Sequence, residues 1–271
     1  MSKMTFGKYV PNGSFADKCD PRGKLLLLIA YIVAVFLAKN FYALLLIGVC
    51  LVICVYAAKT SPLKVLSSVK GILFLLIFTV LINLFFYKQG DVLWQWGIFC
   101  CTKQGIYSSL FLAARLVLLV CGSSLLTLTT SPVELTDGLE SLLTPLKWVR
   151  FPVHELALIM SIALRFIPIL SDETARIISA QKARGADFET GGLVKKVKAT
   201  IPVLIPLLIS AFRRADELGD AMDARCYTGS KVRTKYKKLR FAPRDIAVFV
   251  LGAAMIAGVV LLRAYLPHVV A

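Results

Sequence analysis

The sequence predicts an all-α polytopic membrane protein, with about five transmembrane helices and long helices lying on the cytoplasmic side. Hydrophobic residues fill 58% of the 271 positions and charged residues only 18%, against about 45–50% and 25% in soluble domains. Mean hydropathy is +0.74, and the apolar residues come in unbroken blocks, as bilayer-spanning helices require. The third observation is charge. Thirty-two Lys and Arg face 16 Asp and Glu, a net charge of +16, and the excess sits where retention on the cytoplasmic side would leave it.

The first span is "KLLLLIAYIVAVFLAK", residues 24–39. Its apolar centre is short for a bilayer that calls for about 20 residues. A helix begun at Pro21, with Arg22, Lys24 and Lys39 snorkelling outward, supplies the missing length. The second span, 41–58, follows at once, so the two form a tight hairpin. "TSPLK", 60–64, breaks the chain before the third span, "GILFLLIFTVLINLFFY", 71–87. A connection carrying two Trp residues, as interfacial loops often do, leads to the fourth, about 105–130. The last, "DIAVFVLGAAMIAGVVLLRAYL", covers 245–266. The first 24 residues hold only short apolar pieces, so no cleavable signal is expected and the first span serves for insertion. Residues 1–24 and 59–70 are basic while Lys39, Lys88, Lys103 and Arg263 lie opposite. This distribution puts the N terminus in the cytoplasm and the C terminus outside.

Residues 131–244 differ from both flanks. They hold 19 of the 32 basic residues, yet keep apolar runs at 154–170 and 199–212. Each run is shorter than a comfortable span, and Pro202 and Pro206 interrupt the second. Such segments lie along the interface or pack beneath the membrane, although a short transmembrane hairpin would leave the outer topology unchanged. The chain thus divides into an N-terminal membrane domain (1–130), a cytoplasmic-side platform (131–244) and a C-terminal span (245–271). The basic run 231–240 suits anionic lipid headgroups and not nucleic acid.

The platform contains a faint repeat. "FIPILSDETARIISAQKARG" and "LIPLLISAFRRADELGDAMDARC" both open with Ile-Pro-x-Leu and close with Ala-x-x-Ala-Arg. Two helices are expected, with Asp172 and Glu173, or Asp216 and Glu217, favouring their first turns. Ala180 and Ala183, like Ala221 and Ala224, are three apart on one face, where small side chains admit a close neighbour. Arg184 and Arg225 stand at the two ends. Either arginine alone reads as an offset to the helix dipole, and Gly185 as an ordinary cap. Cys226 replaces that glycine in the second copy, which argues that capping is not the shared purpose. A guanidinium at a helix tip also suits bidentate pairing with a partner's carboxylate.

Several chemistries are absent. No GxxxxGK[ST] phosphate loop occurs, so the chain cannot itself be an ATP-driven motor, and no span carries an acidic residue at mid-depth for an ion relay. The seven cysteines form no CxxC, and His154 and His268 are far apart, so neither metal nor redox use is expected. Arg115, inside the fourth span, is either a functional charge or a structural one that finds a partner or snorkels. Arg165 is a candidate for a structural pair with Glu155 or Asp172. Pro168, Pro202 and Pro206 either kink their helices or let them flex. Asp216, Glu217, Asp220 and Asp223 could be a carboxylate site, but their spacing is also that of a solvated helix face.

The paired "QKARGADF" and "AMDARCYTG", with "RADEL" before the second and "RTKYKKL" after it, resemble the T component of energy-coupling-factor (ECF) vitamin transporters, as do "YVPNGSFADKCDPRGKLL" and "ALRFIPIL". The resemblance covers nearly the whole chain and is nearest to the shared T components of group II systems. It departs at Cys226, where that family's short motif often has Gly. It implies a non-catalytic scaffold in the cell membrane with two long coupling helices. Ala183, Arg184 and Gly185, and Ala224, Arg225 and Cys226, would dock two ABC-type ATPase subunits, which would carry the ATP and Mg; no cofactor would sit on this chain. A small S component in the bilayer would bind the vitamin. The other readings are a stand-alone secondary transporter, a conventional ABC permease subunit, or a membrane enzyme acting on lipids. The first would need polar midplane paths, and the last a His or carboxylate constellation.

Overall fold

The computed structural model describes residues 14, 16–17, 19–86, 92–96, 99–149, 152–188, 192–227, 229 and 243–265. The basic run 231–240 and much of the N-terminal motif lie outside them. Nine helices are formed among the described residues: α1 (Pro21–Leu37), α2 (Phe41–Ala57), α3 (Pro62–Ser67), α4 (Leu73–Phe86), α5 (Lys103–Thr129), α6 (Pro132–Leu143), α7 (Val153–Ala183), α8 (Leu193–Ala224) and α9 (Pro243–Tyr265). A 3-10 turn joins α3 to α4, making one apolar rod over Pro62–Phe86. The connection expected as an interfacial loop instead holds an antiparallel hairpin, β1 (Val92–Trp96) and β2 (Phe99–Thr102), with Trp94 opposite Cys101 and Trp96 opposite Phe99. The fold is otherwise all-α.

Four rods among the described residues are long and apolar enough to cross a membrane: Pro62–Phe86, α5, α7 and α9. The 17-residue α2 is apolar but shorter. The structure therefore revises the length expected of 154–170. That run is the first half of a 31-residue helix, because Pro168 is absorbed inside α7.

Residues 1–153 and 239–271 form one compact unit and residues 154–238 another. Composition breaks at 131, but α6 packs on α1. Gly138 makes this possible, since a Cβ there would stand 3.1 Å from Pro21 Cβ. A capping box, Ser131 with Glu134, starts α6.

In the first unit α1 is the central helix, packed along α9, α6 and α5. Ala34, Val35, Ile47 and Val259 are completely buried, and small residues let the helices approach where no hydrophobic drive separates protein from lipid. A Cβ on Gly252 or Gly258 would lie 3.2 Å from Leu27 or Leu46. Gly122 accepts the ring of Tyr31, whose hydroxyl donates to the Leu118 carbonyl at 2.7 Å. Large apolar side chains face outward instead, Phe74 and Phe36 among them. Lipid is the surrounding in which such a surface is stable.

One basic residue is placed differently from expectation, and a second takes one of its two expected roles. Lys24 does not snorkel outward. It is buried, and its ammonium donates to the carbonyl of Thr129 at 3.1 Å, at the C terminus of α5. Arg115 resolves as structural: its guanidinium lies over the Phe111 ring, 4.8 Å from the centroid, and donates to the Ala38 carbonyl just past α1. Asn40 fixes the same corner by donating to the Leu262 carbonyl of α9 at 3.1 Å. Lipid offers no hydrogen bonds, so carbonyls freed where membrane helices end need donors such as these.

Candidate docking site on two arginine-tipped helices

The second unit is built on two long helices, α7 of 31 residues and α8 of 32. At 1.5 Å per residue each runs for about 46–48 Å. Neither begins at its Ile-Pro. Pro168 lies inside α7, and Pro202 and Pro206 inside α8. Asp172, Glu173, Asp216 and Glu217 are therefore mid-helix, not first-turn residues as expected. Each proline lacks the N–H that would pair the carbonyl four residues earlier. Beyond Pro168, the hydroxyls of Ser171 and Thr174 donate back to the carbonyls of Ile167 and Leu170, at 2.8 and 2.6 Å. Such back-bonding accompanies bent helices.

Both helices end in the same way. On α7 the amide of Gly185 donates to the Lys182 carbonyl at 3.0 Å, and that of Ala186 to the Gln181 carbonyl at 3.0 Å. On α8 the amide of Cys226 donates to Asp223 at 2.8 Å, and that of Tyr227 to Met222 at 3.0 Å. Each set is the paired bonding of a Schellman cap, which needs a left-handed residue just past the helix. Gly185 has φ 84° and Cys226 φ 55°. Capping is thus common to both copies, contrary to what the loss of glycine suggested: Cys226 adopts the glycine's conformation despite its Cβ.

The caps put Arg184 and Arg225 at equivalent positions, each the last residue before the left-handed turn. Both are exposed, as are Ala183, Ala224, Gly185 and Cys226. Each guanidinium sits where the dipole's negative end and the last free carbonyls favour a cation. Two small alanines adjoin each, so a protein surface can approach without steric bar.

The pair expected of Arg165 is not formed, and Arg165 is exposed. On a continuous α7, Glu155 and Asp172 lie 10 and 7 residues away, about 15 and 10 Å along the axis and beyond reach. Among the described residues, the ion pair joining the helices is Glu173 to Arg214, at 3.1 Å with both side chains about one-third exposed. The repeat aligned at its prolines hides this pair. Aligned at the arginines, 41 residues apart, Glu173 and Arg214 become counterparts. Asp216, Glu217, Asp220 and Asp223 are all exposed along α8, as a solvated face is. No group of three or more His, Cys, Asp or Glu among the described residues could hold a metal ion.

A family model described as "Cobalt transport protein" (CbiQ) matches residues 12–236. The chain is 47% identical over 260 residues to the energy-coupling factor transporter transmembrane protein EcfT of Ruminiclostridium cellulolyticum, covering 96% of this chain and 97% of that one. It is 49% identical to the EcfT of Brevibacillus brevis over 94% and 97% of the two chains, and 42% identical to that of Bacillus subtilis over 97% and 100%. Taken with the all-α membrane architecture, a match of this extent means that the chain belongs to the CbiQ/EcfT family, the transmembrane proteins of energy-coupling factor transporters.

Proposed function

We propose that this chain is the coupling subunit of an ECF-type importer, passing ATP-driven motion from two cytoplasmic ABC-type ATPases to a membrane-embedded S component that binds a vitamin or other micronutrient. The observation that carries the reading is the pair of exposed arginines, each on an identical helix cap at the end of a helix of about 46 Å. A guanidinium held this way offers two parallel donors to an acidic groove, and two equal tips suit two similar partners. Ala183, Gly185, Ala224 and Cys226 would line the contact, and ATP and Mg would bind on the ATPases.

The apolar side chains along α8, from Val194 and Val197 through Ile201, Leu204 and Leu208 to Phe212, are exposed. They would lie against lipid and the S component. The charged ends of α7 and α8, with their arginine tips, would then face the cytoplasm, with the N terminus inside and the C terminus outside. Pro168, Pro202 and Pro206 would let the two helices flex as the ATPases close; unchanged uptake in Pro168→Ala and Pro206→Ala variants would remove that part.

The test is co-purification followed by charge reversal. The native chain should bring down two ATPases and a small apolar membrane protein. Arg184→Glu with Arg225→Glu should insert normally yet lose both the ATPases and uptake. A double variant that still assembles and transports overturns the reading. So does a lone chain that transports unaided, the outcome expected of a secondary transporter.

A further inference from the structure

We infer that the Glu173–Arg214 ion pair is the fulcrum of the two long helices, a pair of positioning residues that sets the span between the Arg184 and Arg225 tips. This rests on the docking role proposed above and adds what neither arginine supplies, their separation.

The register carries the inference. Glu173 precedes Arg184 by 11 residues, and Arg214 precedes Arg225 by 11. Both arms from pin to tip are therefore about 16 Å long. Eleven residues are about three helical turns, so on each helix the pin and the tip lie on one face, about 20° apart. The positions between them also correspond. Four residues past the pin stand Ile177 and Leu218, and seven past it Ala180 and Ala221.

Burial follows the same order on both arms. Glu173 and Ile177 are half-buried while Ala180 and Arg184 are exposed; Arg214 and Leu218 are half-buried while Ala221 and Arg225 are exposed. Gln181 and Met222, eight residues past the pin on each arm, are half-buried again, and the contact between the two helices is the ion pair itself. The touching residues are counterparts in the repeat, and they carry opposite charges. A bond between equivalent positions is what a local two-fold relationship between α7 and α8 produces. Like charges there would repel, so the sign difference is what makes the contact adhesive.

An ion pair about one-third exposed contributes little to overall stability. Its removal should leave a folded chain in which the angle between the helices is free, and 16 Å arms would turn a small angular freedom into a broad spread of tip positions. That separates positioning from folding.

The experiment uses the full chain, first alone in nanodiscs and then assembled with its ATPases and S component. Spin labels go on cysteines introduced at Ser179 and Asp220, exposed counterparts five residues short of each tip, with the native cysteines replaced. The unaltered pin should give one narrow distance distribution. Glu173→Gln or Arg214→Gln should broaden it and lower uptake per ATP hydrolysed roughly 5- to 10-fold. The exchanged double variant, Glu173→Arg with Arg214→Glu, should restore both. Narrow distances in the single variants overturn the fulcrum. Broad distances with unchanged uptake per ATP overturn its positioning role. So does an exchanged variant that inserts and assembles but restores neither. Failure of the docking reading would show separately, in the Arg184→Glu and Arg225→Glu variants, whose pin is intact.

Discussion

Gly185 and Cys226, 41 residues apart, hold the same left-handed backbone and close the same pattern of hydrogen bonds at the ends of α7 and α8. Only one of them does so freely. A side chain in this region costs about 1–2 kcal/mol, because Cβ crowds the carbonyl that follows. Cys226→Gly should therefore raise the melting temperature of the purified chain, and Gly185→Val should lower it. Open space around Gly185 means that the valine penalty is conformational and not a clash. If Cys226→Gly destabilised, the cysteine side chain would be making a contact that outweighs its strain.

Arg115 provides a test of structure against transport. Its donation to the Ala38 carbonyl and its place over Phe111 give it a structural role. Arg115→Met should strand that carbonyl and cost about 1–3 kcal/mol. Uptake per correctly folded transporter should be unchanged. Comparing thermal stability with uptake normalised to inserted protein separates the two effects, and loss of normalised uptake without loss of stability would return Arg115 to the functional class.

Gly122 and Tyr31 form a tight contact between α5 and α1. A Cβ on Gly122 would collide with the Tyr31 ring, so Gly122→Ala should destabilise by about 1–3 kcal/mol through overpacking. Tyr31→Phe removes only the bond to the Leu118 carbonyl and should cost about 1 kcal/mol. Tyr31→Leu should partly rescue Gly122→Ala by vacating the ring's position. Melting temperatures of the three variants and the Gly122→Ala/Tyr31→Leu combination give the coupling directly.

The thiols should separate by accessibility and by pH. Cys226 is exposed and Cys19 buried, so a bulky maleimide should label Cys226 in the folded chain and reach Cys19 only after unfolding. Burial, and then the Asp245 carboxylate, raise the Cys19 thiol above its ordinary value of 9.0, with Lys24 and Arg244 opposing. A raised value favours the neutral thiol in the folded state. Its contribution is complete below pH 9 and is lost as pH rises through the folded value, because the unfolded chain ionises first. The native chain should therefore lose melting temperature more steeply between pH 8 and 10.5 than Cys19→Ala. Parallel slopes would show that this thiol ionises alike in both states. With the ATPases bound, Cys226 should become protected from the label.

The sequence alone determined the all-α membrane class, because bilayer thickness demands long apolar blocks whatever packs against them, and it singled out both arginines, because a local motif survives any tertiary arrangement. The twofold occurrence of Ala-Arg at helix ends was likewise legible in one dimension. Tertiary structure decided what depends on partners distant in sequence. Lys24 and Arg115 are indistinguishable from snorkelling cations until the Thr129 and Ala38 carbonyls arrive beside them. Prolines read as helix openings because isolated helices break there, whereas α7 and α8 run through them. The left-handed turn at Cys226 was hidden because residue identity states a preference, and the hydrogen bonds of a helix end can override it. Glu173 and Arg214 looked like two more charges on two amphipathic helices, until the fold brought them within 3.1 Å.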